Sequence, residues 1–142
     1  MTRVVLDTNI IVASLWRAKS KSAAIVRDAI NRKIIACYDN GIAEEYSKVL
    51  HRFKFRFPLS AIDGLLLGVM DGGLSVVAPK STIPFTHESD RMFYDVAVHC
   101  GAILVTSNLR HYPEDDSRIM TPGAYASFAQ REQIHKANGD SI

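Results

Sequence analysis

The chain has 142 residues, 47% apolar and 23% charged, with a formal net charge of +2 at pH 7. These totals fit one globular domain, exclude a largely disordered chain, and are too mildly basic to argue for nucleic acid by themselves. Cys37 and Cys100 sit among small or apolar neighbours and read as buried free thiols, forming neither a disulfide framework nor a zinc pattern. No charged leader with an apolar core opens the chain and no apolar run is long enough to span a bilayer, so the expectation is a soluble, cytoplasmic protein.

Arg3–Leu6 is a short β-branched run that stops at Asp7 and reads as a buried strand. A helix is expected from Ile10 to about Trp16, followed by a basic polar loop over Lys19–Ser22. "SAAIVRDAINR" then places Ala24, Ile25, Ala29 and Ile30 on one helical face. Lys33–Asp39 is the second strand candidate, and Asp39 or Asn40 caps a helix through "GIAEEYSKVLHRF". Its inner face carries Ile42, Tyr46, Val49, Leu50 and Phe53. Pro58 ends that helix, and Ser60 begins another through "AIDGLLLGVMDGG". Leu74–Pro79 reads as a third strand, Ser89 as the cap of a helix through "DRMFYDVAVHCG", Ala102–Thr106 as a fourth strand and "RIMTP" as a short fifth. Thr121 with Pro122 marks a last helix start. Residues 131–142 read as a polar tail beyond a domain of residues 1–130. Strands alternating with helices imply an α/β fold, with a mostly parallel sheet of four or five strands in a three-layer α/β/α sandwich.

Such a sheet binds ligands beyond the carboxyl ends of its strands, at the point where strand order reverses. Asp7 is the first residue past strand one. A lone ionised carboxylate in a buried strand is costly, so a job for Asp7 is implied. Asn108 lies just past strand four, Asp90 opens the helix feeding that strand, and Glu45 borders the core face of the helix after strand two, with Glu44 turned outward. Acids gathered there repel one another until something positive neutralises them. A hard divalent cation with oxygen ligands, magnesium or manganese, suits that role. Taken singly, Asp7 also reads as a helix cap, Asp90 as a first-turn acid favoured by the helix dipole, and Glu45 as a solvated charge.

The order "VLDTN", "AEEYSKVL", "DRMFYDVA", "AILVTSN" resembles the PIN domain family of metal-dependent ribonucleases, which includes the toxins of bacterial toxin–antitoxin pairs. The resemblance runs from Arg3 to about Phe128, and "TSNLRHYPEDDSRIMTP" is similar to one toxin-like branch. It implies that Asp7, Glu45 and Asp90 are catalytic metal ligands. Asn108 takes a fourth position where the family more often has Asp, keeping a carbonyl oxygen but losing a charge. Thr8, Asn9 and Thr106 would orient the acids. Asp95, about 140° round the helix from Asp90, is a further candidate at the cleft border. The implied chemistry is Mg2+- or Mn2+-dependent hydrolysis of RNA phosphodiesters, with a cognate antitoxin and a homodimer as partners. The alternative is a catalytically silent PIN module that binds RNA or a protein partner.

"HRFKFRF" (His51–Phe57) alternates cations with aromatics. Arg52, Lys54 and Arg56 can pair with phosphates while the rings stack on bases, or the helix ends there with the rings packed inward. "WRAKSKS" offers Arg17, Lys19 and Lys21 near Asp7, a cationic rim that would offset repulsion between the acids and a phosphate substrate. Arg110 follows Asn108 closely and can touch phosphate; His111 reads as a general acid or a plain turn residue. His51, His87, His99 and His135 receive no role.

Overall fold

The computed structural model describes residues 1–139. Five strands, β1 (Arg3–Leu6), β2 (Ile35–Tyr38), β3 (Leu74–Ser75), β4 (Ile103–Val105) and β5 (Ile119–Met120), form one sheet in the order β3-β2-β1-β4-β5. Every pairing is parallel. Val4, Val5, Leu6 and Leu104 have no exposed surface, as expected of central parallel strands covered on both faces. Six helices connect or follow them: α1 (Thr8–Trp16), α2 (Lys21–Ile30), α3 (Asn40–Leu50), α4 (Leu59–Asp71), α5 (Arg91–Cys100) and α6 (Pro122–Gly139).

The chain steps outward from β1 through β2 to β3, then returns past β1 to β4. With right-handed crossovers, that reversal sends α5 to the face opposite the earlier helices. Accordingly α5 packs over β1, β2 and β4, while α2 packs against both α1 and α4. This is the three-layer α/β sandwich expected from the sequence, with a fully parallel sheet. The order reverses between β1 and β4. Leu6 there stands beside Val105, so the two strands end level and Asp7 and Thr106 leave them side by side.

Local chemistry moved several boundaries. α1 begins at Thr8 rather than Ile10, because the Asp7 carboxylate accepts the Thr8 amide. α2 begins at Lys21 under a Ser20 cap, the Ser20 hydroxyl accepting from the Ala23 amide at 3.1 Å, so the expected basic loop is shorter. Ala24 is exposed, and Ala23 and Val26 are the buried neighbours of Ile25 and Ala29. Asp39 caps α3 through the Ile42 amide at 2.8 Å, and α3 ends at Leu50, so Phe53 falls in a 3-10 turn beyond the helix, its side chain outside the described residues. α4 begins at Leu59, one residue after Pro58, instead of at Ser60. β3 ends at Ser75: the Val76 amide still donates to the Tyr38 carbonyl at 2.9 Å, but Val77 is 90% exposed and the chain has left the sheet. A 3-10 turn over Glu88–Asp90 precedes α5, so Ser89 is not its cap, and Asp90 occupies the cap position without a side-chain capping bond. Thr121 caps α6 through the Ala124 amide. α6 continues past residue 130 to Gly139, and the last three positions of the expected polar tail, 140–142, lie outside the described residues.

Cys37 and Cys100 are buried free thiols. Burial, with Cys100 as a neighbour, pushes the Cys37 thiol up to about 12. No described helix is long and apolar enough to cross a membrane.

Candidate active site at the carboxyl end of the sheet

Asp7 is only 6% exposed. Its Oδ1 accepts the Thr8 amide at 2.7 Å. Its Oδ2 accepts the Thr106 hydroxyl at 2.8 Å and the Tyr112 phenol at 3.0 Å. Three donors from three parts of the chain therefore fix the direction of one carboxylate. Burial first, then the Asp7 charge, holds the Tyr112 phenol far above its ordinary range, so it stays a donor. Tyr46 of α3 is likewise raised by burial and then by Asp7, and its hydroxyl donates to the Leu6 carbonyl just behind the site.

Thr106 is fully buried, and its oxygen also accepts the Asn108 amide at 3.0 Å. Asn9 ties the start of α1 to the exit of β4, its Oδ1 accepting the Ser107 amide at 3.1 Å and its Nδ2 donating to Thr106 Oγ1 at 3.5 Å. These bonds make the strand ends one polar unit. Thr8 Oγ1 is buried there without a hydrogen-bond partner.

Asp90 faces Asp7 across a cleft of about 730 Å³ that Glu45, Asn108 and His111 also line. Burial and the Asp7 charge push the Asp90 carboxyl upward, while His111 and His87 oppose the shift. His111 Nδ1 lies 3.1 Å from Asp90 Oδ2, and the His87 ring is 4.7 Å from the His111 ring. Glu45 is half-buried on α3, Glu44 is exposed, and Asn108 is exposed and lines the cleft.

Carboxylates, an amide oxygen and an orphaned hydroxyl are hard oxygen donors of the kind magnesium and manganese take. Among the described residues, no group of three or more His, Cys, Asp or Glu side chains is placed to hold a metal ion by itself. The set fits an ion held by one or two carboxylates, with water and substrate phosphate completing its shell.

Of the other residues singled out from the sequence, Thr8, Asn9, Arg17 and Arg52 line the cleft. Lys19, Lys21, Lys54 and Arg110 do not. Lys21 sits where a Cβ on Gly123 would meet its amine at 3.6 Å, at the start of α6. The Lys54 amine lies 5.2 Å from the centre of the Phe55 ring, and Arg110 lines a separate groove with Pro113 and Glu114. Asp95 is also away from the cleft. Its Oδ2 accepts the Ser81 amide at 3.0 Å on another side of α5, as its angular offset from Asp90 requires.

Sequence reasoning missed Tyr112, the pairing of His87 with His111, and Trp16 in the cleft wall; Phe55, one of the rings offered for base stacking, does line the cleft. The sequence signal for Tyr112 is faint: an aromatic after a turn, adjacent to a polar residue, with one of the two turned inward. His111 and Tyr112 divide in that way, the histidine to Asp90 and the tyrosine to Asp7.

A parallel α/β sheet with carboxylates at its strand-order reversal and arginines on the cleft wall defines a class: an α/β domain with an acid-lined cleft at the carboxyl end of its central strands. The sequence model of the PIN domain family matches residues 3–110, and the chain belongs to that family. PIN domains are generally nucleases and typically use divalent metals. A search of curated proteins returns no match.

Proposed function

We propose that the chain is a divalent-metal-dependent endoribonuclease that hydrolyses RNA phosphodiester bonds in the cytoplasm as the toxin of a toxin–antitoxin pair. The observation that carries the nuclease reading is Asp7, aimed by three donors into a cleft that Asp90 shares. Burial first, and then the Asp7 charge, raises the Asp90 carboxyl, a strain that a bound cation relieves. The toxin role rests on the resemblance carried by "TSNLRHYPEDDSRIMTP", and with it come a cognate antitoxin and a homodimer as partners.

Asp7 and Asp90 would hold Mg2+ or Mn2+, with Glu45 and the Asn108 amide oxygen at its margin. When bound, the ion supplies Lewis-acid stabilisation of charge on the phosphoryl and leaving oxygens. Thr106, Tyr112 and the Thr8 amide keep both Asp7 oxygens in place. His111 steadies Asp90. Arg17 and Arg52 counter the acids' repulsion of the RNA backbone and seat its phosphates. A water oxygen, oriented by Glu45, attacks phosphorus in line, the bond to the leaving oxygen breaks, and the proton that the water loses passes to solvent. The leaving oxygen takes a proton from solvent.

Asn108 favours a second reading, a silent module that binds RNA without cutting it, because the amide adds no charge to the acid set. One assay separates the two: RNA and single-stranded DNA panels with manganese, magnesium or chelator, beside a matched Asp7→Asn preparation. Metal-dependent cutting of RNA that disappears in the variant supports the nuclease. RNA binding without cutting in any metal supports the silent module.

A further inference from the structure

The cleft has a second end. α1 carries Asp7 at its cap and Trp16 at its last position, about 13 Å apart at the helical rise. The turn that follows α3 brings Phe55 against Trp16, with ring centres 5.5 Å apart and planes at 86°. Phe57 meets Trp16 at 5.9 Å and 86°, and stacks on Phe55 at 5.4 Å and 12°. Edge-to-face contacts of this kind hold a ring in place. Trp16 nevertheless stays 57% exposed, and it lines the same cleft as the acids, together with Phe55, Arg17 and Arg52. Lys54 lies over the Phe55 ring. Among the described residues, no carboxylate ion-pairs with Arg17, Arg52 or Lys54. An ordered, half-open aromatic surface beside cations that no described carboxylate neutralises matches a ligand with flat apolar faces on an anionic chain. An unpaired nucleobase on its phosphate backbone has that chemistry. A base inside a duplex does not, because its faces are covered by its neighbours.

We propose that Trp16, braced by Phe55 and Phe57, is the stacking platform for one unpaired base of an RNA strand lying in the cleft. The platform restricts the substrate to single-stranded RNA and sets the register of the cut relative to the stacked base. The consequence for cutting rests on the nuclease reading above; base binding does not.

Trp16 is the chain's only tryptophan, so its emission reports on this end of the cleft alone. With chelator present to stop cutting, an unstructured RNA oligonucleotide should quench the emission saturably. A series of the same oligonucleotides with a single abasic site moved along the strand should show one position where affinity falls about 5- to 150-fold, the range for one base–aromatic stack. A duplex of the same sequence should quench little. Trp16→Ala, followed by a bound-RNA label, should lose affinity by the same factor, and Trp16→Phe should recover most of it. If Trp16→Ala does not fold, the abasic series on the native chain decides. Equal affinity at every abasic position overturns the proposal. Emission that changes with protein concentration before RNA is added, in step with dimer formation by sedimentation, also overturns it and makes the rings a contact between copies. A chain that cuts RNA yet tolerates every abasic site keeps the nuclease reading and loses the platform. One that never cuts but shows the abasic-sensitive quench does the reverse.

Discussion

The two ends of α1 are built on opposite principles. At its start, Asp7 is buried, takes three hydrogen bonds and joins a polar unit of strand ends. At its finish, Trp16 is 57% exposed and touches other aromatic rings. The first arrangement suits a centre that must hold charge at fixed geometry, since a buried charge is costly unless it is hydrogen-bonded. The second suits recognition of a flat surface supplied from outside. One nine-residue helix spans both, so a substrate seated at one end is registered against the other.

The largest effect should come from Asp7→Asn. Cleavage should fall by more than the roughly 10- to 100-fold that loss of a supporting group costs a metal site. From the sequence alone, this change reads as neutral or stabilising, because it relieves repulsion. The structure reverses that expectation: the amide nitrogen cannot accept from the donors now on Asp7, so stability measured by urea unfolding should drop by about 1–2 kcal/mol. An unchanged midpoint would mean that the two hydroxyls find other acceptors.

Tyr112→Phe should be next. It removes one donor from Asp7 and should lower activity about 10- to 100-fold while leaving Trp16 emission unchanged. A change in emission would show that the ends of the cleft are mechanically linked rather than separate.

Asp90 supplies a pH test. Its folded carboxyl is raised above 3.8, first by burial and then by Asp7. Ionising it therefore costs the folded state progressively as pH rises from 3.8 through the raised value. Asp90→Asn should raise the melting temperature at neutral pH without divalent metal, and the gain should vanish as pH falls below the unfolded carboxylate range. Activity should be lost at every pH. A lower melting temperature at neutral pH would show that the contact with His111 outweighs repulsion from Asp7.

The smallest expected change is Asn108→Asp. Because residue 108 is exposed, calorimetry should show manganese binding tighter by about fivefold, the effect of a solvent-screened charge worth roughly 1 kcal/mol. Unchanged binding would place residue 108 outside the ion's shell.

Read in order along the chain, the residues determined a good deal. β1 could be placed because a β-branched run is a local pattern and an acid ends it. The parallel sheet followed from strands alternating with helices, and their places just past the first and fourth strand runs singled out Asp7 and Asn108. Helical periodicity put Tyr46 inward and left Glu45 at the border. It also set Asp95 off Asp90's side of α5, which is why Asp95 binds the Ser81 amide and not the cleft. Only the tertiary structure decided which side chains serve those acids. Tyr112 reaches Asp7 across 105 positions, and Thr106 across 99. Trp16 meets Phe55 only because the turn after α3 folds back against the end of α1. Hydrophobic period and capping chemistry act over a few residues and are written locally. A hydrogen bond between distant turns depends on how the layers pack, and no spacing in the sequence encodes it.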